Sequence, residues 1–468
     1  SKLNFLQRRS RLPLLIAADL EGGAAFRFPG ATPFPTNMGV AATGIEADAR
    51  SMGRITALEG RAVGVHLNFA PVADINSNQR NPIVNTRSFG SDPITVGKLV
   101  TATVEATQQA GMLATVKHFP GHGDTETDSH ISLPVIRADW RRLDALELYP
   151  FKLAIKAGVD VVMSAHIALP NILGDSTRPA TLSPFILTNV LRDSFGFDGL
   201  VVTDALDMGA LVSSYGGGEA AVRAFLAGSD LLLMPASPAE AVRAMVAAVR
   251  SGRISRARLR ASLVRLLTIK EKLGLFERRT VPLERVGTIV GQQAFLDTAK
   301  SITRRSLVLV RDSLGIMSNI RSFSNPVTVV SYGDPTWNTE LPRLLTRRGH
   351  RIDHVRLYPM SGPASYDTAK TALARAPNAV FSVNVRVISG SGNISMPPQL
   401  VELIETASAA RPTLLVSFGS PYLLNQTPGV AGLLLAWQAN PLTEEAVANA
   451  LSGTAITGRL PTDLPGGC

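Results

Sequence analysis

The sequence predicts an α/β protein: a (β/α)8-type barrel followed by a smaller, doubly wound α/β sandwich domain. Three observations carry that expectation. Short apolar runs alternate with helix-period segments over residues 13–235, and most of these runs finish in polar residues. A second strand and helix alternation begins after a polar connector. Such alternation builds a parallel sheet, and six units in about 220 residues point to a barrel rather than an open sheet. The boundaries read as a barrel domain over 1–276, a connector over 277–300 and a sandwich domain over 301–468.

The first apolar run, 13–18, ends in Asp19-Leu-Glu-Gly-Gly, and the second, 63–69, leads to Asp74. The third, 112–116, feeds a long polar loop. The fourth, 159–163, ends in Ser164-Ala-His166, the fifth, 199–202, in Thr203-Asp204, and the sixth, 230–233, in Met234-Pro235. Helical periodicity fills 45–59, 96–110, 141–157, 184–194 and 219–227, and one helical stretch is expected over 239–275, stopped at Gly274. In the second domain, strands are expected at 306–310, 327–331, 351–356, 379–383, 413–417 and 430–436, and helices at 339–348, 366–376, 398–410 and 443–451. No internal repeat or low-complexity segment interrupts the pattern.

Composition narrows the function classes. The formal net charge of +10 favours polyanionic partners. The basic residues are scattered, however, with no dense basic run interleaved with aromatics, so a nucleic-acid partner is not expected and an Arg-rich solvated surface is. No apolar run approaches the roughly 18 residues of a membrane span. The opening residues 1–9 contain no apolar h-region, so no signal peptide is read there. The sole cysteine, Cys468, is terminal, which excludes an intrachain disulfide and makes a cysteine nucleophile an unreasonable expectation.

Residues 117–134 hold the chemistry. Lys117, His118, His122, Asp124, Glu126, Asp128 and His130 fall within 14 positions, in a chain with seven His in all. Pro120, Gly121, Gly123 and Pro134 exclude a regular helix, so the groups lie on an irregular loop at the carboxyl end of a strand, where parallel α/β folds build active sites. Three readings compete. A merely solvated loop has no use for three His beside a Lys. A metal site would use His118 and His122, but Pro120 and Gly121 between them prevent one helix face from presenting both, so no metal and no cofactor are expected. Acid–base and substrate-binding chemistry fits best: in Asp128-Ser-His130 the carboxylate can fix the imidazole tautomer, leaving the other ring nitrogen to carry a proton. Asp204 ends an apolar strand, where a carboxylate points into a barrel mouth; a helix N-cap is its alternative role, and Asp207 is a weaker candidate inside the next turn.

Lys-His-Phe-Pro-Gly-His-Gly at 117–123, followed by Asp-Ser-His at 128–130, resembles the signature of the β-N-acetylglucosaminidases of glycoside hydrolase family 3. The resemblance runs through nearly the whole chain. It implies a barrel followed by an α/β sandwich, with Asp204 as catalytic nucleophile and His130, paired with Asp128, as acid/base. It also implies that Asp19, Arg27, Arg87, Lys117 and His118 bind the sugar; Asp74 and His166, which also end strands, are expected to support them from behind. The implied reaction is that of a retaining exo-β-N-acetylglucosaminidase acting on cell-wall muropeptides or chitin-type oligosaccharides, as in peptidoglycan recycling. A β-N-acetylglucosaminide phosphorylase and a catalytically silent carbohydrate-binding protein are the alternatives. Family members with two domains are often extracytoplasmic, which points to a periplasmic or secreted location. Two departures stand out. Members open with a strand and a helix before the segment equivalent to 13–23, so the first βα unit is expected to be missing. The usual Asp-Gln-Glu-Gly-Gly-Arg-Val reads Asp19-Leu-Glu-Gly-Gly-Ala-Ala25 here, which alters the pocket wall where sugar specificity is set.

Overall fold

The computed structural model describes residues 2–212, 214–336, 339–388, 390–392 and 394–464; Cys468 lies outside the described residues. The chain forms two compact units, one of residues 1–32 and 49–295, the other of residues 33–48 and 296–468.

The first unit has an α/β barrel-like fold. Five parallel strands, β1 (Ala17–Ala18), β2 (Leu67–Asn68), β3 (Leu113–Phe119), β4 (Val161–Ser164) and β5 (Leu200–Thr203), pair in chain order, and Leu231 continues the series through a parallel bridge to Val202. Alternate side chains divide between two faces. Leu67, Leu113, Val161, Met163, Leu200 and Val202 gather on one, joined by Leu231 and Leu233 and by Leu266, Ile269 and Leu273 of a following helix. The other face packs against surrounding helices, for example Leu20, Ala57, Val65 and Met112 around Glu46–Val63. Because both faces are covered, these strands read as continuous apolar runs. Asp230, fully buried, pins the last strand position: it accepts from Arg192 at 2.6 Å and from the Val201 N–H at 3.0 Å, with Arg258 and Arg265 within 3.5 Å.

The helical stretch expected over 239–275 is two helices, Pro238–Arg250 and Arg256–Lys272. Gly252 between them adopts φ 77°, and Ser255 caps the second helix by accepting from the Arg258 N–H. Periodicity persists through this break because both helices present an apolar stripe. The stretch 141–157 likewise divides into Trp140–Ala145 and Tyr149–Lys156, with Pro150 at the start of the second.

The second unit holds a six-stranded sheet in the order β6-β11-β10-β9-β7-β8. The strands are β6 (Val308–Asp312), β7 (Val327–Tyr332), β8 (Ile352–Leu357), β9 (Asn378–Val383), β10 (Thr413–Ser417) and β11 (Gly432–Leu435). All pairings are parallel except β6 with β11. Val330, Phe381, Leu415 and Leu433 line one face, Val329, Val380, Leu414 and Leu434 the other, each beneath its own helices.

Residues 33–48 leave the first unit and join this one. Their helix Asn37–Ala42 buries Met38 and Ala42 in the same cluster as Trp437. Gly39 permits the approach, since a Cβ there would lie 2.8 Å from Pro35 and 2.9 Å from the Trp437 ring. The Ala42 carbonyl accepts from the Arg459 N–H at 2.7 Å, and Trp437 Nε1 donates to the Ser306 carbonyl at 2.6 Å.

Candidate active site

The expected site residues sit at the carboxyl ends of the first unit's strands. Asp19 and Glu21 follow β1, Asp74 follows β2, Lys117 and His118 close β3, and Asp204 follows β5. The Lys117–His118 peptide bond is cis.

Two ion networks organise these groups. In the first, buried Lys117 reaches Asp19 Oδ1 at 2.9 Å and Glu21 Oε1 at 2.8 Å. Arg87 grips Glu21 with two parallel bonds, Nε to Oε2 at 2.9 Å and Nη2 to Oε1 at 2.8 Å, the fork geometry that favours Arg over Lys. Burial alone would push the Glu21 carboxyl up; Arg87 and Lys117 outweigh it and hold the group well below the usual carboxylate range. Burial likewise works against the Lys117 ammonium, but Glu21 and Asp19 raise its pKa. Arg27, half-exposed over the Phe26 ring, touches Asp19 at 3.5 Å. Asp19 is therefore the partly open end of a preorganised chain of charges, suited to hydrogen-bonding hydroxyl groups.

In the second network, fully buried Asp74 accepts from His118 Nδ1 at 2.7 Å, from the His118 N–H at 3.1 Å and from the His122 N–H at 2.7 Å. Burial is the largest single influence on it and pushes its pKa up, but His118 and His122 together outweigh burial and lower it, so Asp74 stays ionised. His118 Nε2 then lies 4.0 Å from Asp204 Oδ2. Asp204 is partly buried, its side chain 19% exposed, yet its pKa is lowered: burial is overcome by His118, His166, the Ala205 N–H at 2.8 Å and Lys117. The result is an ionised carboxylate at a strand end, facing His118, His166 and the Lys117 ammonium. His166 makes its own fixed contacts, Nδ1 to Thr181 Oγ1 and Nε2 to the Ala205 carbonyl, both at 2.9 Å.

The loop after β3 carries the remaining pair. Asp128, buried, takes both the His130 N–H and His130 Nδ1 on one oxygen at 2.8 Å. The imidazole is about one-third exposed, and its Nε2 makes no hydrogen bond among the described residues. Gly209, five residues beyond Asp204, seats this loop: a Cβ there would lie 2.7 and 2.8 Å from the carbonyl oxygens of His130 and Ile131. The loop base is equally tight, since a Cβ on Gly123 would meet the Ile75 carbonyl oxygen at 1.6 Å. The ring nitrogens of His122 are taken by Thr125 and Ser129, and Nδ1 of His118 by Asp74.

Sequence reasoning passed over two residues. Glu21 joins Lys117 to Arg87; the available signal was its place two residues after Asp19. His122 was weighed only as a metal ligand, yet the glycines on both sides of it marked a close backbone approach.

A family model described as "Glycosyl hydrolase family 3 N terminal domain" matches residues 2–269. A Cellulomonas fimi protein named "Beta-N-acetylglucosaminidase/beta-glucosidase" is 31% identical over 480 residues, covering 98% of this chain and 85% of that protein. The solved family 3 β-N-acetylglucosaminidase from Paenibacillus sp. str. FPU-7 superposes with a TM-score of 0.86 at 34% identity, covering 97% of this chain and 86% of that one. "Beta-glucoside phosphorylase BglX" superposes with a TM-score of 0.89 at 28% identity, covering 99% and 86%. With more than half of its length matched by the family model and nearly all of it aligned to a relative above 30% identity, this chain belongs to glycosyl hydrolase family 3.

Proposed function

We propose that the protein is a retaining exo-β-N-acetylglucosaminidase that releases N-acetylglucosamine from muropeptides or chitin-type oligosaccharides, built as a barrel domain followed by an α/β sandwich domain. One observation carries the reading: Asp204 is held ionised, and the turn that follows it seats the loop bearing the Asp128–His130 pair. Asp204 attacks the anomeric carbon while His130 protonates the departing glycosidic oxygen, giving a glycosyl–Asp204 ester. His130 then takes a proton from water, which attacks the same carbon and frees Asp204. Asp128 fixes the imidazole so that Nε2 faces the chemistry. Asp19, Arg27, Arg87, Lys117 and His118 hold the sugar, Asp19 directly and Arg87 through Glu21 and Lys117. The printed names of the Cellulomonas and Paenibacillus proteins support the N-acetylglucosamine specificity.

Phosphorolysis is the second reading, favoured by the likeness to a β-glucoside phosphorylase. A base that is neutral rather than anionic repels an incoming phosphate less than a carboxylate does. The deciding experiment measures p-nitrophenol release from its β-N-acetylglucosaminide, with and without phosphate, for the unaltered protein, Asp204→Ala and His130→Ala. Phosphate-independent turnover lost in Asp204→Ala supports hydrolysis. A large stimulation by phosphate moves the assignment to phosphorylase. Sugar binding by folded, unaltered protein without turnover of this glycoside or of the β-glucoside leaves a carbohydrate-binding protein.

A further inference from the structure

Between the two residues of the acid/base pair lies Ser129, and it is held from both sides. Its Oγ lies 3.1 Å from His122 Nε2, and its carbonyl accepts from the Ala210 N–H at 3.3 Å. Ser129 is 2% exposed and His122 1%, so neither contact competes with bulk water.

His122 is itself braced. Its N–H donates to Asp74 Oδ1, the oxygen that also takes the His118 N–H. Its Nδ1 lies 2.9 Å from Thr125 Oγ1, which receives Asn81 Nδ2 at 3.2 Å. Asn81 also donates to the carbonyls of His122 and Gly123, at 2.8 and 3.0 Å. His122 is thus tied through its main-chain N–H to the same carboxylate that orients His118, and its ring bridges Thr125 and Ser129. Burial, and the neighbouring His118, lower its pKa to about 4, so at neutral pH it carries one N–H and one lone pair. Thr125 and Ser129 are hydroxyls that can each donate or accept, so both ring nitrogens are satisfied in either tautomer.

The consequence falls on His130. Its N–H and its Nδ1 both bind Asp128, so residues 128–130 form one closed ring. Turning Ser129 must swing the carboxylate and the imidazole together. We infer that His122 and Ser129 form a clasp that sets the reach of His130 toward the glycosidic oxygen. The inference rests on His130 being the acid/base. Both are positioning residues: neither touches the reacting atoms, and the proton passes only between His130 and the oxygen.

The test compares kcat/KM for two N-acetylglucosaminides in the same preparation. A 2,4-dinitrophenyl leaving group departs without a proton, whereas the second sugar of N,N′-diacetylchitobiose needs one. The ratio of the two values is independent of how much of a variant is folded. His130→Ala should lose roughly 10²–10⁴-fold more on chitobiose than on the activated substrate. Ser129→Ala and His122→Phe should show the same selectivity at about tenfold, the scale of one misplaced hydrogen bond. His122→Gln, whose amide can still meet Ser129, should recover part of it. Adding Ser129→Ala to His130→Ala should cost nothing further on either substrate, because both act through one group. Equal losses on the two substrates, or additive losses in the double variant, would overturn the clasp while leaving the acid/base assignment standing. An unselective His130→Ala would instead overturn that assignment, and the clasp with it.

Discussion

Glu21→Gln removes the negative charge that joins Lys117 to Arg87 while keeping side-chain volume. Three charge-assisted bonds, at 2.8, 2.8 and 2.9 Å, lose their ionic partner. Removing one member of a buried ion network costs about 3–5 kcal/mol. Lys117 keeps Asp19 at 2.9 Å, Arg87 keeps the Ile83 carbonyl at 3.0 Å, and the amide oxygen still accepts, so the lower figure of about 3 kcal/mol applies. At roughly 2–4 °C per kcal/mol, the transition of the first unit should fall by about 6–12 °C at pH 7. The carboxyl is held below its ordinary 4.5, so its contribution is complete above that value and is lost as pH falls through the lower, folded value. The gap between the two proteins should stay constant from neutral pH down to about 5 and narrow below about 4.5. Calorimetric scans of both proteins across this range make the comparison. A gap absent at pH 7, or one unchanged in acid, would refute the dominance of Arg87 and Lys117 over the burial of Glu21.

Other outcomes follow from close approaches and charge. Gly123→Ala, whose Cβ would meet the Ile75 carbonyl oxygen at 1.6 Å, should displace the loop carrying His122 and cut kcat/KM at least tenfold, the scale of one pair of misplaced hydrogen bonds. Gly39→Ala should cost about 1–3 kcal/mol by overpacking against Trp437, read as a lower midpoint of the second unit's denaturant transition. Because His118 helps keep Asp204 ionised, His118→Phe should move the acid limb of the kcat/KM profile to higher pH; an unmoved limb would mean that Asp204 is held ionised by its other neighbours.

Strand positions were legible in the sequence because each is a short apolar run buried on both faces, and the residues after them were legible because they are polar where such runs stop. Asp19, Asp74, Lys117, His118 and Asp204 could each be placed at a strand end on that ground. Pairing was harder to read. Nothing local says that Glu21 rather than Asp19 joins Arg87, since that depends on a chain separation of 66 residues. Residues 33–48 were illegible as part of the second unit for a similar reason: the helix Asn37–Ala42 has an ordinary composition, and the surface that buries Met38 is supplied by Trp437 and its neighbours. The helix break at Gly252 was readable from the glycine but masked by an apolar period that continues across it.

The shared residues 33–48 bear on how the protein is made. On the ribosome, Gly39 emerges about 400 residues before Trp437, a wait of roughly 20–80 s at ordinary elongation rates. The cluster that buries Met38 and Ala42 begins at Val308, so it starts to be synthesised about 270 residues after them and lacks Trp437 until the end of that interval. The first unit's chain therefore contains a segment whose partner does not yet exist, and cutting the gene at residue 295 would leave that segment permanently uncovered. Aggregation during synthesis, and the failure of gene fragments that look like whole domains, are the costs to watch when this enzyme is produced or dissected.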